Sequence, residues 1–115
     1  MATYANLYID QGSDFQTSVV LEDSAGDPLD LTELSFQGQI RRTPQSDTAF
    51  DFEIIKSSST AGGITVRLSK DISIGMNPGR YVYDIFATEA GFNNRFKVLE
   101  GLVEIIPQVT RIEND

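Results

Sequence analysis

Residues 79–86 read Gly79-Arg80-Tyr81-Val82-Tyr83-Asp84-Ile85-Phe86 and follow the turn pair Asn77-Pro78. The stretch alternates as a half-buried strand does, with Tyr81, Tyr83 and Ile85 on one side. Val82 and Phe86 then point the other way, so the second face is apolar as well. Either another part of the chain covers that face, or another protein does. Two adjacent arginines elsewhere, Arg41-Arg42, fall on opposite sides of a strand by the same parity and form no single basic patch.

The rest of the chain repeats this β pattern in short runs divided by Gly, Pro, Asn, Asp and Ser, which predicts an all-β fold, an antiparallel immunoglobulin-like sandwich of about seven strands. A first edge strand is expected within Thr3 to Ile9. A second spans Asp14 to Glu22, with Phe15, Thr17, Val19 and Leu21 on one face. Asp23 to Pro28 reads as a turn, and Leu29 to Leu34 as a short plug that drops leucines under the core. Ser35 to Arg42 and Phe50 to Ile55 are the third and fourth strands; in the fourth, Phe50, Phe52 and Ile54 oppose Asp51 and Glu53. Lys56 to Ala61 is a polar connection, and Ile64 to Leu68 is the fifth strand. Lys70 to Asn77 is one helical turn or an extended corner. The stretch from Gly79 to Thr88 and the run from Arg95 to Ile106 close the sandwich as a hairpin around 89–94.

The 115 residues are the size of one domain, and 40% hydrophobic content with seven Phe and four Tyr suffices for one core. Residues 1–3 and 108–115 are expected to be flexible or partner-docking ends. The N-terminus MATYANLYIDQG has neither the basic cluster nor the apolar segment of a signal peptide, and no 18-residue apolar run occurs, so a soluble protein is expected. Absent cysteine and histidine remove disulfides, thiol nucleophiles and imidazole bases. A net charge of -8 opposes binding to nucleic acid or anionic membrane surfaces.

Four patterns in the sequence could carry chemistry. Asp23, Asp27 and Asp30 around Gly26 could supply oxygen ligands to Ca²⁺, but the spacing is not that of an EF-hand and fits a plain Asx turn. Asp51, Glu53, Asp84, Glu100 and Glu104 include the carboxylates a glycosidase would need, yet alternating acids on strands usually form a solvated face. Tyr4, Tyr8, Phe86 and Phe92 could stack on sugar rings, although tryptophan is absent. Arg41-Arg42 reads as surface or interface arginine. No catalytic residue, metal or cofactor is expected.

Gly79-x-Tyr81-x-Tyr83 resembles the start of strand F in immunoglobulin-like domains, which implies that Tyr81 is a structural corner tyrosine whose hydroxyl ties back to the E–F corner. Tyr83 stands where such domains carry their second cysteine. A wider set of stretches, IDQGSDF (9–15), LEDSAGDPLDLTEL (21–34), QIRRTPQS (39–46), GGITVRLS (62–69), NPGRYVYDI (77–85) and VLEGLVEIIPQVTR (98–111), resembles small virion structural proteins of tailed bacteriophages, including those of marine cyanobacteria.

The resemblance implies a non-enzymatic accessory β-sandwich that docks onto tail, neck or baseplate proteins. Capsid decoration and a carbohydrate-binding receptor-recognition module are the alternatives. Its partners would be other virion proteins or further copies of itself, in particles assembled in the host cytoplasm. On strand parity Val82, Phe86, Phe92, Val98 and Leu102 are the expected interface, a parity that a one-residue bulge would reverse.

Overall fold

The computed structural model describes residues 3–23, 25–91 and 94–110. Among these residues nine strands and one helical turn follow in order: β1 Thr3–Tyr4, β2 Leu7–Asp10, β3 Phe15–Val20, β4 Leu34–Arg41, β5 Phe50–Asp51, β6 Glu53–Ser58, β7 Gly63–Leu68, α1 Lys70–Ser73, β8 Gly79–Glu89 and β9 Arg95–Ile106. They form a sandwich of a six-stranded sheet, ordered β1-β9-β8-β4-β5 with β2 also on β9, and a three-stranded sheet ordered β3-β7-β6. This is the immunoglobulin-like arrangement. β1 and β2 are one interrupted strand, and β5 and β6 one run divided between sheets, so the nine strands correspond to seven sequence runs.

β8 lies at the centre of the large sheet, antiparallel to β4 and to β9. Tyr81, Tyr83, Ile85 and Ala87 are buried, while Val82, Asp84 and Phe86 look outward and stay half-buried. From the other sheet Ile64, Val66 and Leu68 meet them, all at 2% exposure or less. Leu31 and Leu34 of the 29–34 turn close one end, as a plug should. The Lys56 ammonium holds that turn by donating to the Leu31 and Leu34 carbonyls at 3.2 and 2.7 Å.

Both tyrosines of β8 bury a ring and must find a partner for a hydroxyl. Tyr81 Oη donates to the Asn77 carbonyl four residues upstream at 2.7 Å, the geometry of a tyrosine corner. Tyr83 Oη donates to the Ala5 carbonyl, also at 2.7 Å. Phe50 and Phe52 pack edge-on against Tyr81 and Tyr83, with centroids 6.3 and 5.7 Å apart. α1 is latched by Ser73: its buried hydroxyl accepts from Gly12 N and donates to the Ser13 carbonyl, each at 3.0 Å.

Three features differ from the sequence expectation. The first strand pairs with β9 in parallel, Thr3 opposite Leu99 and Ile9 opposite Ile105. Short connections force antiparallel pairing only between neighbours in sequence, and these strands lie at opposite ends of the chain. Thr3 therefore belongs to the sheet and not to a loose end. The run Phe50 to Ile55 is not one strand, because the chain changes sheets at Phe52, whose N–H donates to the Gly38 carbonyl at 3.0 Å, and its second part continues as β6 through Ser58, into the stretch expected to be a polar connection. Finally, the β8–β9 register shifts by one residue between Ile85, opposite Leu99, and Phe86, opposite Lys97.

The interruption between β1 and β2 has a local cause. The Ala5 carbonyl turns inward to Tyr83, and the Asn6 side chain takes over the ladder by accepting from Leu102 N at 3.2 Å. Gly101 makes room for this, since a Cβ there would collide with the Ala5 carbonyl. Gly101→Ala is expected to lift the first strand from β9 at a cost of about 1–3 kcal/mol, the usual range for overpacking. Faster hydrogen exchange at Leu7 to Asp10, with β3–β7 unchanged, is the measurement that checks it.

Burial, with smaller contributions from the neighbouring Tyr4 and the Glu100 carboxylate, pushes the Tyr83 hydroxyl from 10.0 up to about 12. The folded state thus holds this proton more tightly than the unfolded chain does. The associated stability is complete below pH 10 and is lost as pH rises from there towards 12. Denaturation midpoints recorded across that window should fall for the wild type and fall less for Tyr83→Phe.

Candidate functional site

The outward face of the large sheet collects side chains from five strands. Parallel and antiparallel registers align them in rows across β4, β8 and β9: Arg41, Val82 and Leu102; then Gln39, Asp84 and Glu100; then Gln37, Phe86 and Lys97. Tyr4, 62% exposed, flanks the Glu100 row from β1, and Tyr8, 63% exposed, flanks Glu104 from β2, one row beyond Leu102. Beside Tyr4 runs a groove of about 410 Å³ that also includes Arg41, Pro44, Val82, Lys97 and Leu102, whereas Tyr8 borders a smaller hollow on the far side of Leu102 with Arg80 and Glu104.

The interface residues expected from parity have separate fates. Val82 and Leu102 face each other across the ladder and form the apolar floor of the groove. Phe86 is on the same face but one capped step away: the Arg95 guanidinium lies 3.8 Å from its ring centroid and the Lys97 ammonium 5.8 Å. Its cover comes from its own chain, through two cations on β9. Val98 is not on this face at all. It is the extra residue of the bulge, 7% exposed, and belongs to the core. Phe92 lies outside the described residues. Tyr4, Tyr8 and the Arg95–Phe86 stack were not part of the expected interface, because cross-strand neighbours are invisible until the register is known.

The groove's polar rim is internally paired. Arg41 donates to the Gln39 side chain at 3.0 Å and also to the Ser46 carbonyl, Gln39 donates to Asp51 at 3.0 Å, and Lys97 pairs with Glu100 at 3.2 Å. Asp84 and Glu100 stand directly opposite one another, whereas Glu53 is on the other sheet with Arg67, 3.6 Å away. Arg42 leaves the face altogether: its guanidinium sits 4.5 Å over the Tyr81 ring and donates to the Arg80 carbonyl at 3.2 Å. The two arginines thus diverge, as parity requires.

Asp23, Asp27 and Asp30 act in turns and not as ligands of one site. Asp23 accepts from Ala25 N and Asp27 N at 2.9 and 3.0 Å. Asp30 accepts from the Thr32 hydroxyl and amide, bonds that hold its carboxyl below the usual range. Among the described residues no group of three or more His, Cys, Asp or Glu side chains is placed to hold a metal ion.

No protein-family model and no curated protein matches the chain. Among solved structures, a family 123 glycoside hydrolase from Clostridium perfringens aligns with 92% of this chain at 12% identity and a TM-score of 0.43, and the chain spans 23% of its length. The Lin-41 filamin domain aligns with 79% of this chain at 14% identity, a TM-score of 0.42 and 81% of its own length. Likeness at this level carries no argument, and partial likeness to a glycoside hydrolase does not establish enzymatic activity here. The fold assignment stands on the strand order itself.

Proposed function

We propose that this chain is a non-enzymatic β-sandwich component of a tailed-phage virion that docks onto tail, neck or baseplate proteins through the outer face of its large sheet. The observation that carries the docking half of this reading is the Val82–Leu102 floor, with exposed Tyr4 beside it in the groove and exposed Tyr8 on the far side of Leu102. A small apolar centre, aromatic edges and a rim of both charge signs match the anatomy of a protein interface. The virion half rests on the resemblance of the six stretches quoted above.

Mixed charge on the rim also favours a protein partner over nucleic acid, and the net charge of -8 acts in the same direction. Sugar binding through Phe86 is disfavoured, since a face of that ring is already taken by Arg95. In the docked state the half-buried Leu102 would lose its remaining contact with water, worth a part of the about 1.5–3 kcal/mol that burying a whole aliphatic side chain contributes.

Leu102→Lys tests the reading. In the free protein the new ammonium stands in water beside Glu100 and Glu104 on the same face, so circular dichroism and thermal midpoint should stay close to wild type. Inside an interface it would be an unpaired buried charge, and incorporation into purified particles, measured by quantitative mass spectrometry, should drop at least tenfold. Wild-type protein absent from particles, or variant incorporated as efficiently as wild type, would sink the proposal.

A further inference from the structure

The edge of the small sheet differs in kind from the outer face. β3 pairs with β7 on one side and, among the described residues, with no strand on the other. Leu21 N donates to the Gly62 carbonyl, on the β7 side, at 2.7 Å. Antiparallel alternation therefore turns the N–H and C=O groups of Gln16, Ser18 and Val20 towards the free side. The following 21–29 hairpin leaves that side open, because Leu29 N bonds the Leu21 carbonyl next to Gly62.

Sheet edges normally carry a device against pairing. The opposite edge has such devices: β6 contains Glu53 and Lys56 and a register shift between Lys56 and Ser58. β3 reads Phe-Gln-Thr-Ser-Val-Val, with no charge, no proline and a regular register throughout. Its inward side chains Phe15, Thr17 and Val19 remain half-buried, although their partners on β7 are buried almost completely. Past its end, a cleft of about 350 Å³ opens between this edge and β1, lined by Leu21, Leu29, Phe96 and Val98 with Glu22 and Asp23 beside them. An added strand would cover the half-buried Phe15, Thr17 and Val19.

The flanking charges select the occupant. Asp14 and Glu22 are both exposed and share the parity of Gln16, Ser18 and Val20. Two copies paired antiparallel about Ser18 would set Asp14 of each directly opposite Glu22 of the other, like charges at both ends of the ladder. Registers centred on Gln16 or Val20 escape that clash only by giving up part of the pairing. A second copy is thus the wrong partner, and a strand with cations at its two ends is the right one.

We infer that the free edge of β3 accepts, by antiparallel strand addition, an extended segment of a partner protein with Lys or Arg eight positions apart and apolar residues at the alternate positions between them. Its assignment to a virion protein rests on the function proposed above; the chemistry of the segment does not.

Two capped nonapeptides probe the edge: Lys-Val-Thr-Val-Ser-Val-Thr-Val-Lys and the same sequence with Glu at both ends. Titrated into the isotope-labelled protein, the first should shift and protect the Gln16, Ser18 and Val20 amides with saturation, and the second should bind at least tenfold more weakly. Ser18→Pro removes one outward N–H without touching the β7 ladder and should abolish the effect. Should that variant not fold, Glu22→Lys serves instead, and it should narrow the gap between the two peptides. Equal affinity for both peptides, no saturable shift, or shifts confined to the outer face of the large sheet would overturn the inference. Protein that binds neither peptide yet is present in particles would remove the edge site and leave the virion role standing; binding of the Lys peptide by a protein absent from particles would do the reverse.

Discussion

Everything in the large sheet is referenced to one constraint, the antiparallel ladder that runs from Gly79–Ile105 to Thr88–Arg95. β8 and β9 are the two longest strands, and their alternation decides which side chains meet the small sheet and which meet the outside. Burying Tyr81 and Tyr83 on this ladder creates a demand as well as a core. An unpaired buried hydroxyl costs about 1–3 kcal/mol, so each needs an acceptor. One acceptor is local and one distant in sequence, Asn77 in the corner before β8 and Ala5 in the interrupted first strand. One central strand thereby positions both the turn that introduces it and the N-terminal edge of its sheet.

The single bulge in that ladder divides the outer face into two unlike ends. By taking Val98 into the core it sets Lys97, and with it Arg95, on the same side as Phe86. Those cations close over the phenyl ring and remove it from contention as a docking residue. On the far side of the bulge the ladder keeps its phase, and Val82 and Leu102 stay open between Arg41 and Tyr4. The two outward apolar residues of Gly79–Phe86 are about 13 Å apart along the strand. Their surroundings differ because one extra residue lies between their partners on β9.

Much of this was legible from residue order. The inward parity of β8, β4 and β7, the leucine plug at 29–34 and the corner tyrosine are local patterns, and local patterns survive folding when one face is buried. The sheet switch at Phe52 was not legible, for a specific reason. Phe50, Phe52 and Ile54 all point to the same core whichever sheet the backbone joins, so alternation is blind to the change. The bulge at Val98 was hidden because a register shift belongs to a pair of strands and leaves no mark on either sequence alone. Of the candidate site, Val82 and Leu102 followed from parity. Tyr4, Tyr8 and the capping of Phe86 did not, because they depend on which strand lies beside which.

The two surfaces assigned to partners share a cause. In a sandwich of this order the first strand can complete only one sheet at a time. Here residues 3–10 are committed to β9: Tyr83 anchors the Ala5 carbonyl, Gly101 makes space for it, and Asn6 repairs the ladder around it. That commitment extends the large sheet outward, carrying Tyr4 to the border of the groove and Tyr8 to the Glu104 row beyond it. It also leaves β3 without a neighbour among the described residues. The pairing with β9 that closes one edge of the large sheet therefore leaves an edge of the small sheet open.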